Sequence, residues 1–283
     1  MKPADMLPIA IGSRRPGVTG AVGRVWLVGA GPGDPELITV KGRRLLATAD
    51  AVVHDRLVGA ALLDLVPSGT LRIDVGKAGH GHAVPQRETN ALLVRLARAG
   101  LSVVRLKGGD PFIFGRGGEE AIALRAAGIP FEIVPGVSAG LAGPAYAGIP
   151  VTHRGLARSV AFVTGHEDPA AGGPSIDWTA VGRLDTVVVF MAGRTASEVA
   201  ARLLAVGRAP ETAAALVLDA SLANQEVRLT DLATLAERGA GETAGRPALL
   251  VVGAVVALAG ELGWFSEPVV GETARAGMEA ASR

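Results

Sequence analysis

The chain has no cysteine, which removes disulfides, thiolate metal centres, iron–sulfur clusters and cysteine nucleophiles at one stroke. Aromatic residues are scarce, with six Phe, three Trp and one Tyr among 283 residues, so the interior must be filled by Ala, Val and Leu, as in layered α/β proteins. An excess of charge is missing as well. Lys plus Arg number 28 and Asp plus Glu 27, a net of +1, so no global field calls for nucleic acid or an anionic membrane. A polyanionic ligand would need a local basic cluster instead. Long apolar runs are also absent: "ALLVVGAVVALAG", from Ala248 to Gly260, falls short of the roughly 18 residues that suggest a membrane span. It reads as a buried strand, a turn and a helix. The opening "MKPADMLPIAIGSRRPGVTGAVG" has only a brief apolar patch flanked by proline, unlike a signal peptide. Residues 1–23 are therefore expected to be a flexible leader, and a cysteine-free chain fits a cytoplasmic location.

What is present is an alternation of apolar strands and helical stretches, the pattern of α/β layering. Strands are expected at Arg24–Val28, Ala51–His54, Leu71–Val75, Ser102–Lys107 and Phe131–Val134. A second set is expected at Val160–Thr164, Thr186–Met191, Ala214–Leu218, Glu226–Leu229 and Ala248–Val252. Helical spacing of Leu92, Leu93 and Leu96, and of Val199, Leu203 and Leu204, marks two helices that end in glycine. The length suits two domains. They are expected at 24–136 and 137–262, followed by a tail at 263–283.

"VGAGPGDP", Val28 to Pro35, follows the first strand and offers the glycines of a dinucleotide loop. A G-x-G-x-x-G fingerprint needs a third glycine where this chain has Asp34, and an acid at a phosphate cradle repels pyrophosphate. The loop therefore speaks against a Rossmann dinucleotide fold and against NAD. Asp34, Pro35 and Glu36 read better as N-cap, first helical residue and dipole-matching acid of a helix through "PELITVKGRRLLATA". Gly-Asp-Pro recurs at Gly109–Pro111, again after an apolar strand, where adjacent glycines admit a ligand to the main chain. Asp110 there suits a ligand with hydroxyl, amino or cationic groups.

The string "VVRLKGGDPFIFGRGGEEA" resembles the uroporphyrinogen-III C-methyltransferases of the tetrapyrrole methylase family. The resemblance continues in "VGAGPGDPELITVKG", "HDRLV", "VGKAG", "VPQRETNALL", "VPGVSAGLAGPAYAGIPVTHRG" and "FVTGH", in order, over about residues 24 to 260. It implies two α/β domains with the cofactor site in the cleft between them, and a homodimer. It implies two successive methyl transfers from S-adenosyl-L-methionine to uroporphyrinogen III at C2 and C7. The products are precorrin-2, which feeds sirohaem and cobalamin, and S-adenosyl-L-homocysteine. No nucleic acid, membrane or fused dehydrogenase module is expected.

Carried over residue by residue, the resemblance places the proton acceptor at Asp55 and the proton donor at Lys77. Read without it, Asp55 is a surface acid beside Arg56 and Lys77 a solvated loop lysine. Methyl-donor contacts fall on Pro32, Gly108, Gly109, Asp110, Ile113, Ser138, Ala139, Met191 and Ala220, with Pro247 and Ala248 as a second tier. Met191 offers a soft surface to adenine, although from spacing alone it is strand-end core. A substrate with eight carboxylates calls for cations, and Arg56, Arg116, His153 and Arg154 are the candidates. His80 and His82 supply two ligands without a third, so no metal is expected. Two departures stand out. Asp219-Ala220-Ser221 replaces the common Asn-Gly-Thr, so the adenine wall is expected to shift if that glycine needs positive φ. His54 stands where tyrosine is usual.

Overall fold

Short runs of Val, Leu and Ala, buried on both faces, form the two sheets around which the chain is built. The computed structural model describes residues 21–76, 84–166, 175–265 and 269–270. The chain divides between Ser138 and Ala139 into two compact units.

The first unit runs β1 (Arg24–Gly29), α1 (Val40–Thr48), β2 (Ala51–His54), α2 (Ala60–Leu63), β3 (Leu71–Asp74), α3 (Gln86–Arg98), β4 (Ser102–Lys107), α4 (Gly117–Ala126) and β5 (Phe131–Val134). Its sheet has the order β3-β2-β4-β1-β5, and every pairing is parallel. All five strands therefore end at the same edge. Helix α3 turns Leu92, Leu93 and Leu96 onto Val25, Leu27, Val53 and Val103. Each such leucine contributes about 1.5–3 kcal/mol relative to exposure. On the opposite face Leu45, Leu46 and Leu62 cover Val28, Val52, Val104 and Leu106.

The second unit runs α5 (Ala139–Tyr146), β6 (Val160–Thr164), α6 (Trp178–Gly182), β7 (Thr186–Phe190), α7 (Ala196–Ala205), β8 (Ala213–Leu218), β9 (Glu226–Asp231), α8 (Leu232–Arg238), β10 (Ala248–Val252), α9 (Ala259–Leu262) and β11 (Val269–Val270). The sheet order is β11-β9-β8-β10-β7-β6. Strand β10 lies antiparallel between β8 and β7, so its amino end meets their carboxyl ends.

Two expectations are corrected. Asp34 does not open the first helix: its carboxylate accepts the Glu36 N–H and caps a 3₁₀ turn, Pro35–Leu37. The α-helix starts at Val40, where the Thr39 hydroxyl accepts the Gly42 N–H. The chain is extended at Ile38 and Thr39, and one cap cannot serve a helix across that break. Second, the strand expected through Met191 ends at Phe190, because Met191 turns to a φ of 57°. Past α9 the chain packs back on α5. The Trp264 indole donates to the Ala145 carbonyl and its ring lies 4.9 Å from that of Tyr146, while β11 pairs with β9.

Candidate functional site

In the first unit, the carboxyl edge of the parallel sheet brings together loops far apart in sequence. Gly31 and Gly109 exchange backbone hydrogen bonds of 3.3 and 2.7 Å, so the two Gly-Asp-Pro loops pair with each other at the residue before Pro32. A Cβ on Gly29 would sit 2.5 Å from the Gly136 Cα, and one on Gly136 would sit 2.4 Å from the Gly109 carbonyl oxygen. Only glycine permits backbones this close. Asp110 locks the junction: one oxygen accepts the Phe112 N–H at 2.8 Å and the other the Gly136 N–H at 3.0 Å. This carboxylate, expected to face a ligand, also ties the exit loop of β4 to that of β5. Pro32, Gly108, Asp110 and Ile113 are half-buried at this edge, and Ser138 is buried.

Asp55 leaves β2 at the same edge, its N–H donating to the Leu106 carbonyl at 3.3 Å. Its carboxylate is 31% exposed and joins a charged cluster inside the unit. Arg105 and Lys107 alternate with Val104 and Leu106 along β4, so both turn to the face covered by α4. There Glu120 is fully buried. Arg105 Nη2 donates to Asp55 Oδ1 at 2.5 Å and its Nε to Glu120 Oε1 at 2.9 Å. Lys107 Nζ lies 3.2 Å from Glu120 Oε1 and 3.9 Å from Asp55 Oδ2. Gln86, from α3, donates a third bond to Glu120 Oε1 at 3.1 Å.

Burying such ions costs several kcal/mol each unless they are paired, and here each cation faces two carboxylates. Burial pushes the Lys107 ammonium below the usual lysine range, and Arg105 adds to the fall while Glu120 opposes it. For Arg105 burial is again the largest influence, but Asp55 and Glu120 outweigh it and hold the guanidinium above its ordinary value. Sequence reading passes over Arg105, Lys107 and Glu120. The available signal is two cations at alternate positions of an otherwise apolar strand, followed by "GGEE".

In the second unit the inserted strand β10 does the gathering. Asp219 N–H donates to the Pro247 carbonyl at 3.0 Å and Ala192 N–H to the Ala248 carbonyl at 3.2 Å. Met191, Ala220, Pro247 and Ala248 thereby share one sheet edge. Met191 is 52% exposed, which overturns the core reading that spacing alone suggests. Ala220 is buried and keeps an ordinary φ; the left-handed residues are its neighbours Asp219 at 49° and Ser221 at 64°. The wall expected to shift for want of a glycine therefore meets no such obstacle at Ala220. Asp219 is held by Arg246 at 2.7 Å and by Asn224 at 2.6 Å.

Backbone strain marks these same loops. Among the described residues, the non-glycine residues with left-handed φ are Phe114, Arg116, Met191, Asp219, Ser221 and Ala244. Each lies within a few residues of Ile113, Met191, Ala220 or Pro247. Such conformations cost of order 1–3 kcal/mol and persist where the surroundings impose them, commonly at ligand sites.

The expected substrate cations are placed less uniformly. Arg56 is exposed beside Asp55, and the exit of β3 presses on it, since a Cβ on Gly76 would lie 2.5 Å from its nitrogen. Arg116 precedes α4 and makes two 2.8 Å bonds to Glu119, which raise its own pKa and lower that of Glu119. His153 and Arg154 are exposed in a turn closed by His153 and Ala157, which leads into the amino end of β6, away from the edge that carries Met191. Lys77, His80 and His82 lie outside the described residues. Among the described residues no three His, Asp or Glu are grouped to hold a metal ion, and no helix is long and apolar enough to cross a membrane.

Comparison with known proteins gives a consistent result. The family model described as Tetrapyrrole (Corrin/Porphyrin) Methylases matches residues 24–236. A Methanosarcina barkeri protein named S-adenosyl-L-methionine-dependent uroporphyrinogen III methyltransferase is 45% identical over 247 residues, 87% of this chain and 97% of that protein. A siroheme synthase of Neisseria meningitidis is 49% identical over 251 residues, 88% of this chain and 51% of that one. The chain thus spans about half the length of the siroheme synthases it matches. The structure of a Thermus thermophilus uroporphyrin-III C-methyl transferase complexed with S-adenyl homocysteine superposes with a TM-score of 0.72 at 43% identity, over 83% of this chain and 99% of that one.

Proposed function

The chain belongs to the tetrapyrrole methylase family, and from that premise we propose that it methylates uroporphyrinogen III at C2 and C7 with S-adenosyl-L-methionine, giving precorrin-2. The observation that carries the reading is its end-to-end likeness to a methyltransferase named for this substrate and donor. The donor supplies a methyl group already activated as a sulfonium, so positioning provides much of the rate.

The residues present suit that donor. Gly29 and Gly136 let the backbones of the two loops close against the Gly109 carbonyl, which leaves main chain and not side chains at this edge, and Met191 holds an exposed thioether on a turn with left-handed φ. Pro32, Gly108, Gly109, Asp110, Ile113, Ser138 and Ala139 would hold it, with Met191, Ala220, Pro247 and Ala248 on the second unit's sheet edge. The proton that the macrocycle loses after methyl addition goes to Asp55, whose carboxylate is partly exposed at the edge where the glycine loops end. Lys77 is the proton donor. Arg56, Arg116, His153 and Arg154 bind the substrate carboxylates, Arg116 by exchanging Glu119 for substrate. The enzyme works as a homodimer in the cytoplasm, and its product enters sirohaem or cobalamin synthesis.

Anaerobic incubation with S-adenosyl-L-methionine and uroporphyrinogen III tests this. Two equivalents of S-adenosyl-L-homocysteine per macrocycle and the altered chromophore of precorrin-2 are expected. Absence of both sinks the proposal.

A further inference from the structure

The buried cluster beneath Asp55 holds two cations and two carboxylates, more charge than a fold needs at that depth. Arg105 and Glu120 are inside the unit, and Oε1 of Glu120 collects donors from Arg105, Lys107 and Gln86. A hydrophobic set of similar volume would satisfy packing at no electrostatic risk. The only partly exposed member is Asp55. Its Oδ1 is taken by Arg105, while among the described residues the cation nearest Oδ2 is Lys107 Nζ, 3.9 Å away.

We propose that Arg105, Lys107 and Glu120 are positioning residues for proton removal: Arg105 fixes Asp55 through Oδ1 so that Oδ2 receives the proton, and Glu120 cancels one cation. This rests on the reading of Asp55 as proton acceptor. Methyl addition leaves the ring system with a positive charge. The C–H electron pair returns to the ring as the proton moves to Oδ2, and the resulting neutral carboxyl releases that proton to solvent before the second methylation. With all four groups ionised their charges sum to zero. Two cations facing Asp55 without Glu120 would make the cluster a poor proton acceptor. Glu120 with no Lys107 would make it hold its proton too well.

Other charged and titratable groups lie near Asp55 among the described residues. His54 and Arg56 flank it on the chain, with His54 Nδ1 3.3 Å from the Asp55 carbonyl oxygen. Asp74, at the end of β3, accepts the Gly76 N–H, and Glu119, on α4, is tied to Arg116 at the surface. Gln86 carries no charge. Lys77 follows Gly76 in the chain.

The test is the pH profile of kcat for the full-length enzyme with saturating substrates. Glu120→Gln should move the acid limb down by about one pH unit, one unbalanced charge at this range, and lower plateau kcat about tenfold. Lys107→Gln should move the limb up. The double variant should return it close to the wild-type position. Affinity for S-adenosyl-L-homocysteine should stay within about twofold in all three, because a general loss of structure would lower it. Limbs that stay put, or that move the same way in both single variants, overturn the proposal. Should a single variant fail to fold, the double variant and Glu120→Asp decide it, because both keep the charge sum and a displaced limb in either refutes charge balancing. Asp55→Asn separates the two layers. Wild-type turnover in that variant removes Asp55 as proton acceptor. An inactive Asp55→Asn with unmoved limbs elsewhere removes only the charge balance.

Discussion

The two sheet edges reach similar ends by different means. In the first unit every strand is parallel, so all exit loops fall on one edge, and close backbone approach of Gly29, Gly109 and Gly136 is what packs them there. In the second unit a single reversed strand, β10, ties the exits of β7 and β8 through its own entry. The first edge has ionised groups set deep behind it. The second has small apolar residues and strained turns, with its ion pairs of Arg246 to Asp219 and Glu226 reaching the surface. A parallel sheet buried on both faces can hide charge only where a helix brings the counter-charge, as α4 brings Glu120 to β4. Under the proposed function, proton transfer falls to the first edge alone, whereas the second edge contributes only to holding the donor.

The change that most sharply breaks this division is Asp55→Asn, which keeps an acceptor for Arg105 but no proton-accepting carboxylate. Turnover should fall about 10²–10⁴-fold with binding of S-adenosyl-L-homocysteine preserved, and equal losses of both would place Asp55 on the holding side. Next comes Gly136→Ala. Its Cβ would meet backbone atoms of Gly109 and Gly29, so stability should drop by about 3 kcal/mol in a denaturant titration, with donor binding lost alongside. An undisturbed midpoint would mean the glycine junction is not tightly packed.

On the second edge the effects should be smaller. Met191→Ala should weaken donor binding about threefold, measured by calorimetry, without changing the pH profile; a shifted profile would move this edge into the chemistry. Ala220→Gly should cost about 0.5–1 kcal/mol rather than stabilise, because Ala220 has no positive φ to relieve. The smallest effect is expected at Asp185, far from both edges in sequence role. It accepts the N–H groups of Arg158 and Ser159 and the Ser159 hydroxyl, and the Arg158 bond above all holds its carboxyl below the usual aspartate range. A lowered carboxylate stabilises the fold fully above its unfolded pKa, and that stabilisation is lost as pH falls through the lowered value. The melting temperatures of wild type and Asp185→Asn should therefore differ at neutral pH and converge in acid, with turnover unaltered. A gap that persists in acid would contradict this.

Strands were the most legible feature, since four to six apolar residues bounded by glycine or charge leave few alternatives, and Ala51–His54 and Phe131–Val134 fall where the pattern puts them. Ends that depend on one turn were less so. Met191 continues the apolar run of β7 in sequence, but its φ of 57° takes it out of the strand. Lys77 sits where the described residues stop, so its role still rests on resemblance.

By itself the sequence determined the alternating α/β layers and the exclusion of thiol chemistry, which follow from spacing and composition, and the family, which its motifs carry by resemblance. Only the tertiary structure decided what the aspartates do. Asp34 caps a short turn, Asp110 staples two loops, and Asp55 is held by Arg105 over a buried Glu120. A carboxylate's role depends on which donors surround it and how far water is excluded, and here the donor lies 2 residues away for Asp34, 26 for Asp110 and 50 for Asp55.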